Sequence, residues 1–87
     1  MPPRRAIALR YERGTDAAPK VVASGAGEFA ERLLSRAQEA GVPVREDPAL
    51  AAALSRLAAE AEVPEDLWAA VAEVLVWAYG LDHAGAR

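Results

Sequence analysis

The sequence offers few side chains able to act as bases or metal ligands: one histidine, His83, near the end, and no cysteine. A metal site would have to be built from carboxylates alone, and no pair of them has the spacing of an Asp/Glu cluster on one helix face. The lack of cysteine also excludes a disulfide scaffold and fits a reducing compartment. Ser24, Ser35 and Ser55 lie outside any G-x-S-x-G elbow, and no histidine is placed to serve them as a base. Gly25-Ala26-Gly27 admits two readings, an anion-binding loop or a tight β-to-α turn. It lacks both the third glycine of a dinucleotide fingerprint and the Gly-Lys-Ser/Thr ending of a P-loop. The inventory argues against an enzyme and calls for no cofactor and no metal. Trp68, Trp77 and Tyr79 sit in the acidic part of the chain instead of alternating with arginine, which argues against a nucleic-acid partner.

Eighty-seven residues make one small domain, in which nearly every apolar face must reach a single core. With 53% hydrophobic and 26% charged residues, the chain is not a disordered tail. Alanine is abundant and arginine outnumbers lysine nine to one, a coding bias that carries no function. No apolar run reaches the roughly 20 residues that span a bilayer. Behind Met1-Pro2-Pro3-Arg4-Arg5, the apolar run Ala6–Leu9 is too short for a signal segment. The expectation is a soluble chain without membrane insertion. Net charge is −3, yet residues 1–20 carry five positive and two negative groups. That basic end reads either as a contact for an anionic partner or as a solvated hairpin rim.

The elements follow from the change of hydrophobic period at glycine and proline. Ile7, Leu9 and Tyr11 alternate with Ala6, Ala8 and Arg10, predicting a strand over residues 6–11. Gly14-Thr15-Asp16 supplies turn chemistry, and Pro19 opens a second strand over 20–24. Phe29, Ala30, Leu33, Leu34, Ala37 and Ala40 share one face of a helix over 27–40, stopped by Gly41. Val42-Pro43-Val44 predicts a third strand over 42–45, at an edge because Pro43 cannot donate to a ladder. Asp47-Pro48 is an N-cap followed by a proline at N1, starting a helix over 48–59. Pro64 opens a last helix over 64–80, with Glu65 and Asp66 where the dipole favours negative charge. The expected architecture is α/β: a small three-stranded sheet packed by three helices in the order β-β-α-β-α-α. It forms a single domain over 1–87, with its core over about 4–81 and a frayed tail at 82–87. The last helix is apolar over so much of its circumference that it is either all core or part core and part docking surface.

Several strings then carry a resemblance: Ala6-Ile7-Ala8-Leu9-Arg10-Tyr11, Ala18-Pro19-Lys20-Val21-Val22-Ala23, Gly41-Val42-Pro43, Asp47-Pro48-Ala49-Leu50-Ala51, and the thirteen residues from Val63 to Leu75. In this order and spacing, the chain resembles the cytoplasmic C-terminal domain of the FlhB/YscU family. These are the export-switch proteins of flagellar and injectisome type III secretion. The resemblance covers about residues 4–81.

Family members cleave themselves within an Asn-Pro-Thr-His motif by cyclisation of the asparagine. In register, Met1 stands at the asparagine, Pro2 at the proline, Pro3 at the threonine and Arg4 at the histidine. Only the proline is kept, so no succinimide can form and no self-cleavage is expected. The resemblance implies a non-catalytic docking module, like the short FlhB-like proteins found beside full-length homologues. Its location would be cytoplasmic, peripheral to a membrane-embedded export gate. The implied partners are export-apparatus proteins, export substrates or the ruler protein, and a membrane-anchored homologue. A soluble adaptor or decoy paralogue without a secretion role is the alternative. By position, the family's docking surface falls on Ala18, Pro19, Ala72 and Leu75, which read equally well as core. A family strand that would pair with residues 6–11 has no counterpart in this sequence. The first strand is therefore expected to offer an open edge to such a homologue or, in a weak homodimer, to a second copy.

Overall fold

The computed structural model of the protein describes residues 4–85. Strand β1 (Arg5–Arg10) and strand β2 (Lys20–Ala26) form an antiparallel pair, followed by helices α1 (Glu28–Ala40), α2 (Pro48–Leu54) and α3 (Trp68–Gly85). A single 3₁₀ turn, Glu65–Leu67, leads into α3.

The register pairs Ala6 with Gly25, Ala8 with Ala23, and Leu9 with Val21, so that Val22 is an extra residue in a bulge. By the alternation of a strand, Ala6, Ala8, Ala23 and Gly25 share one face while Ile7, Leu9 and Val21 share the other. The small-residue face receives α1 at very close range, since a Cβ on Gly25 would stand 2.7 Å from the Cβ of Phe29. The branched face receives the other helices. Val21, Leu50, Leu54, Val63 and Val71 form the buried core, with Ile7, Leu9, Leu57, Leu67, Val74 and Leu75 packed against it. The result is three layers: α1, the hairpin, and α2 with α3.

The caps follow the sequence closely. Asp47 accepts the N–H of Leu50 at 3.1 Å above Pro48 at the start of α2. Gly41, at φ 72°, ends α1, with Gly41 donating to Gln38 at 3.2 Å and Val42 to Ala37 at 2.9 Å. Those two bonds satisfy carbonyls that the helix end would otherwise leave open. In the hairpin loop, Asp16 accepts the N–H of Glu12 at 2.9 Å and lies 3.5 Å from Arg10. The hydrogen bond from Glu12, aided by Arg10, holds its carboxyl below the ordinary value of 3.8.

The third strand is not there. The sheet has two strands, and Val42 and Val44 are 53% and 50% exposed on a segment with no ladder. Two physical reasons combine. Pro43 removes a donor, and the free side of β2 is taken by a later segment whose sequence does not look like a strand. Val21 donates to Ala61 at 3.0 Å and accepts from Glu60 at 2.7 Å, while Val63 donates to Pro19 at 2.8 Å. To reach β2, the chain leaves α2 at Leu54, five residues before the end expected at Ala59, and passes through Glu60 at φ 69°. That left-handed conformation costs a non-glycine residue free energy, offset by three main-chain hydrogen bonds.

Helix α3 also runs past Gly80, the stop expected from sequence, to Gly85. A glycine inside a helix costs only about 1 kcal/mol relative to alanine, and this one does not adopt a positive φ. The two glycines therefore respond oppositely to substitution. Gly25→Ala drives a methyl into Phe29 and is expected to destabilise by about 1–3 kcal/mol. Gly80→Ala, with nothing within 4 Å of the added Cβ, should stabilise by up to about 1 kcal/mol. Urea unfolding of both variants checks the pair, and a neutral Gly25→Ala would contradict the close α1 contact.

Candidate docking surface

The glycine turn connects β2 to α1. Gly27, at φ 60°, donates its N–H to Arg4 at 2.8 Å and accepts from Glu31 at 3.2 Å. Glu28 and Glu31 in the first turn of α1 oppose an anion there. The basic end is partly neutralised, with Arg4 3.1 Å from Glu31 and Arg10 beside Asp16. The cleavage-motif positions Met1, Pro2 and Pro3 lie outside the described residues; Arg4, the fourth, is exposed and paired with Glu31.

Of the four residues placed by resemblance on a docking surface, Ala18 is buried, Pro19 and Leu75 are half-buried, and Ala72 is exposed. Pro19 is tied through its carbonyl to Val63, a core residue, and Leu75 packs on the same core. Pro19 and Leu75 thus reach one core from the hairpin and from α3, while Ala72 opens to solvent. Ala72 belongs instead to an open groove of about 480 Å³ that it shares with Arg45, Ala69, Glu73, Val76 and Trp77. The Arg45 guanidinium lies 6.0 Å from the centre of the Trp77 ring, within range of a cation–π contact. Sequence reasoning missed this groove. Its signal was that Val76 and Trp77 fall, at helical spacing, outside the middle of the apolar arc formed by Leu67, Trp68, Val71, Val74, Leu75, Ala78 and Tyr79, and its other wall is the 42–45 segment expected as a strand.

Helix α3 is tied down at its start and again at Tyr79 by its aromatic residues. Trp68 Nε1 donates to the Val63 carbonyl at 2.6 Å, and Tyr79 donates its hydroxyl to the Tyr11 carbonyl at 3.1 Å. Between them Val71 is fully buried, while Val76 is 70% exposed. One side of α3 is core and another is open.

The second surface is the outer edge of β1. Gly27 bonds Arg4 across the hairpin, and both main-chain groups of Val21 turn away from it to residues 60 and 61. The alternation of an antiparallel ladder then directs the N–H and C=O of Arg4, Ala6, Ala8 and Arg10 inward and those of Arg5, Ile7 and Leu9 outward. Among the described residues no hydrogen bond reaches those outward groups. Helices α1 and α2 both pack against β1 and leave this outer edge free of them.

The family described as FlhB HrpN YscU SpaS matches residues 2–78, nearly the whole chain. The chain belongs to that family. It is 39% identical over 83 residues to YlqH of Bacillus subtilis, covering 95% of this chain and 89% of that protein. It is 46% identical over 81 residues to the flagellar biosynthetic protein FlhB of Escherichia coli, covering 92% of this chain. The chain spans only 21% of the length of that FlhB. A mutated form of the EscU C-terminal domain superposes with a TM-score of 0.84 at 29% identity, covering 88% of this chain and 94% of that one. The PscU C-terminal domain gives 0.79 at 39% identity, covering 84% and 94%. The structure is thus an FlhB-family C-terminal domain. Among the described residues no helix is long and apolar enough to cross a membrane.

The burial differences set expected stabilities. Leu75→Ala, at a half-buried site, should cost about 1–2 kcal/mol, below the 2–5 kcal/mol of a fully buried leucine. Ala72→Ser, on the open groove, should stay within about 0.5 kcal/mol of the parent. Denaturant unfolding distinguishes the two, and an equal loss at both sites would contradict the division of α3 into core and open sides.

Proposed function

We propose that this chain is a non-catalytic docking module of a flagellar-type protein-export apparatus, acting at the cytoplasmic face of a membrane-embedded export gate. The observation that carries the reading is the open edge of β1 in a domain of this family. An edge with three outward residues accepts one more strand by main-chain hydrogen bonding. We infer that the strand comes from a membrane-anchored homologue, which would fix the module at the gate. Of the four residues placed by resemblance, Pro19, Ala72 and Leu75 would then face export substrates or a ruler protein, with Ala18 buried beneath them. Exposed Arg5 favours a neutral or acidic strand over a basic one. The half-buried state of Pro19 and Leu75 supports a shallow contact surface more than a deep pocket.

Self-cleavage has no place in this reading, because Met1 lacks the side-chain amide that must attack the backbone. Intact-mass spectrometry after long incubation should show one species, allowing for loss of Met1. A fragment beginning at Pro3 or later under protease-free conditions would contradict it.

The functional test is co-expression with an FlhB-family protein truncated after its cleavage site, with export scored. The parent chain should restore export. Arg5→Pro removes one outward N–H without touching the β1–β2 ladder, so it should lose most of the rescue while keeping its unfolding midpoint. Rescue unaffected by Arg5→Pro removes the strand-addition reading, and no rescue by the parent removes the export role.

A further inference from the structure

The groove on α3 has a charge pattern that the export reading does not use. Between Trp68 and Gly80, Glu73 is the single charged residue, and it faces into the groove together with Arg45. Neither has an ion-pair partner among the described residues. The remaining lining is apolar, with Val76 largely exposed and the small side chains of Ala69 and Ala72 allowing close approach. Val44, half-exposed, adjoins Arg45 in the chain.

A patch with one acid and one base beside an apolar strip complements itself. About a twofold axis, residue i of one copy meets residue j of the other and the reverse holds too, so both charges are matched at once. A uniformly acidic partner would leave Glu73 facing like charge, and a basic one would do the same to Arg45. An unpaired charge in a desolvated contact costs more than a pair gains.

We propose that this face of α3 joins two copies of the chain about a twofold axis, Arg45 of each copy pairing with Glu73 of the other and Val76 and Trp77 packed between them. The single charge on the stretch of α3 between Trp68 and Gly80 sets the register of the contact. Ala72 lies inside this interface, so the dimer covers part of the surface offered to export partners, and self-association competes with docking there. The interface does not depend on the export role and stands or falls separately.

Sedimentation equilibrium over a wide concentration range provides the test. The parent chain should show a reversible monomer–dimer equilibrium with a micromolar to millimolar dissociation constant. Glu73→Arg and Arg45→Glu should each weaken it at least about tenfold, since each reversal places like charges opposite one another twice per dimer. The double variant Glu73→Arg/Arg45→Glu should recover to within about threefold of the parent, because the pairs are restored with their signs exchanged. Both residues are exposed, and thermal melts of all three variants establish that each is folded. A parent that stays monomeric throughout overturns the proposal. So does a dimer indifferent to either reversal, which assigns association to the β1 edge or another face. A double variant as weak as the singles overturns it as well.

Discussion

The fold depends on how β2 divides its hydrogen bonds at Val21. The side chain of Val21 is fully buried in the core, and its N–H and C=O are both committed to residues 60 and 61. An isolated two-stranded hairpin is marginal in water. This one is held because its second strand is flanked on one side by β1 and on the other by the segment leading into α3. The commitment of Val21 also settles what is left over. With one side of β2 taken, a further strand can be added only at β1, and the residues at 42–45 are left without a ladder.

From that constraint the surfaces follow. The 60–63 segment brings Val63 into the core, and Val63 receives the Trp68 indole, which fixes the start of α3. Tyr79 ties the helix farther along to the end of β1 at Tyr11. Between those two points α3 buries Val71 and packs Val74 and Leu75 on the core, while Val76 is turned to solvent. A small domain has too little interior to enclose a helix that is apolar on all sides. The surplus apolar surface becomes the groove, bounded by the segment that failed to join the sheet.

Much of this was legible in the sequence where local chemistry decides the outcome. The Asp47–Pro48 start, the Gly41 stop and the period-two alternation of β1 each act within a few residues, and the structure places them where the pattern put them. The third strand failed because the competition was nonlocal. Val42-Pro43-Val44 has a strand's composition, but Glu60-Ala61-Glu62-Val63, with two glutamates, holds the position on β2 because α2 and α3 deliver it there. Gly80 likewise looks like a stop, yet α3 continues through it to Gly85, because a glycine that keeps a negative φ only weakens a helix. The candidate surface was partly legible: the apolar excess of α3 announced an open face. Its second wall, Arg45, came from a segment assigned to the sheet, so the groove was beyond reach.

Native-state amide exchange in dilute protein tests the central claim most directly, because it reads both sides of the hairpin in one experiment. The amides of Val21, Glu60 and Val63, bonded across the inner side, should exchange only through global unfolding. Those of Arg5, Ile7 and Leu9, directed outward from β1, should exchange at least about a hundredfold faster although they lie in a regular strand. Equal, slow exchange at Ile7 and Val21 would contradict the account, because the outer edge of β1 would then already be bonded. Fast exchange at Val21 would contradict it from the other side, by showing that the 60–63 segment does not hold the hairpin.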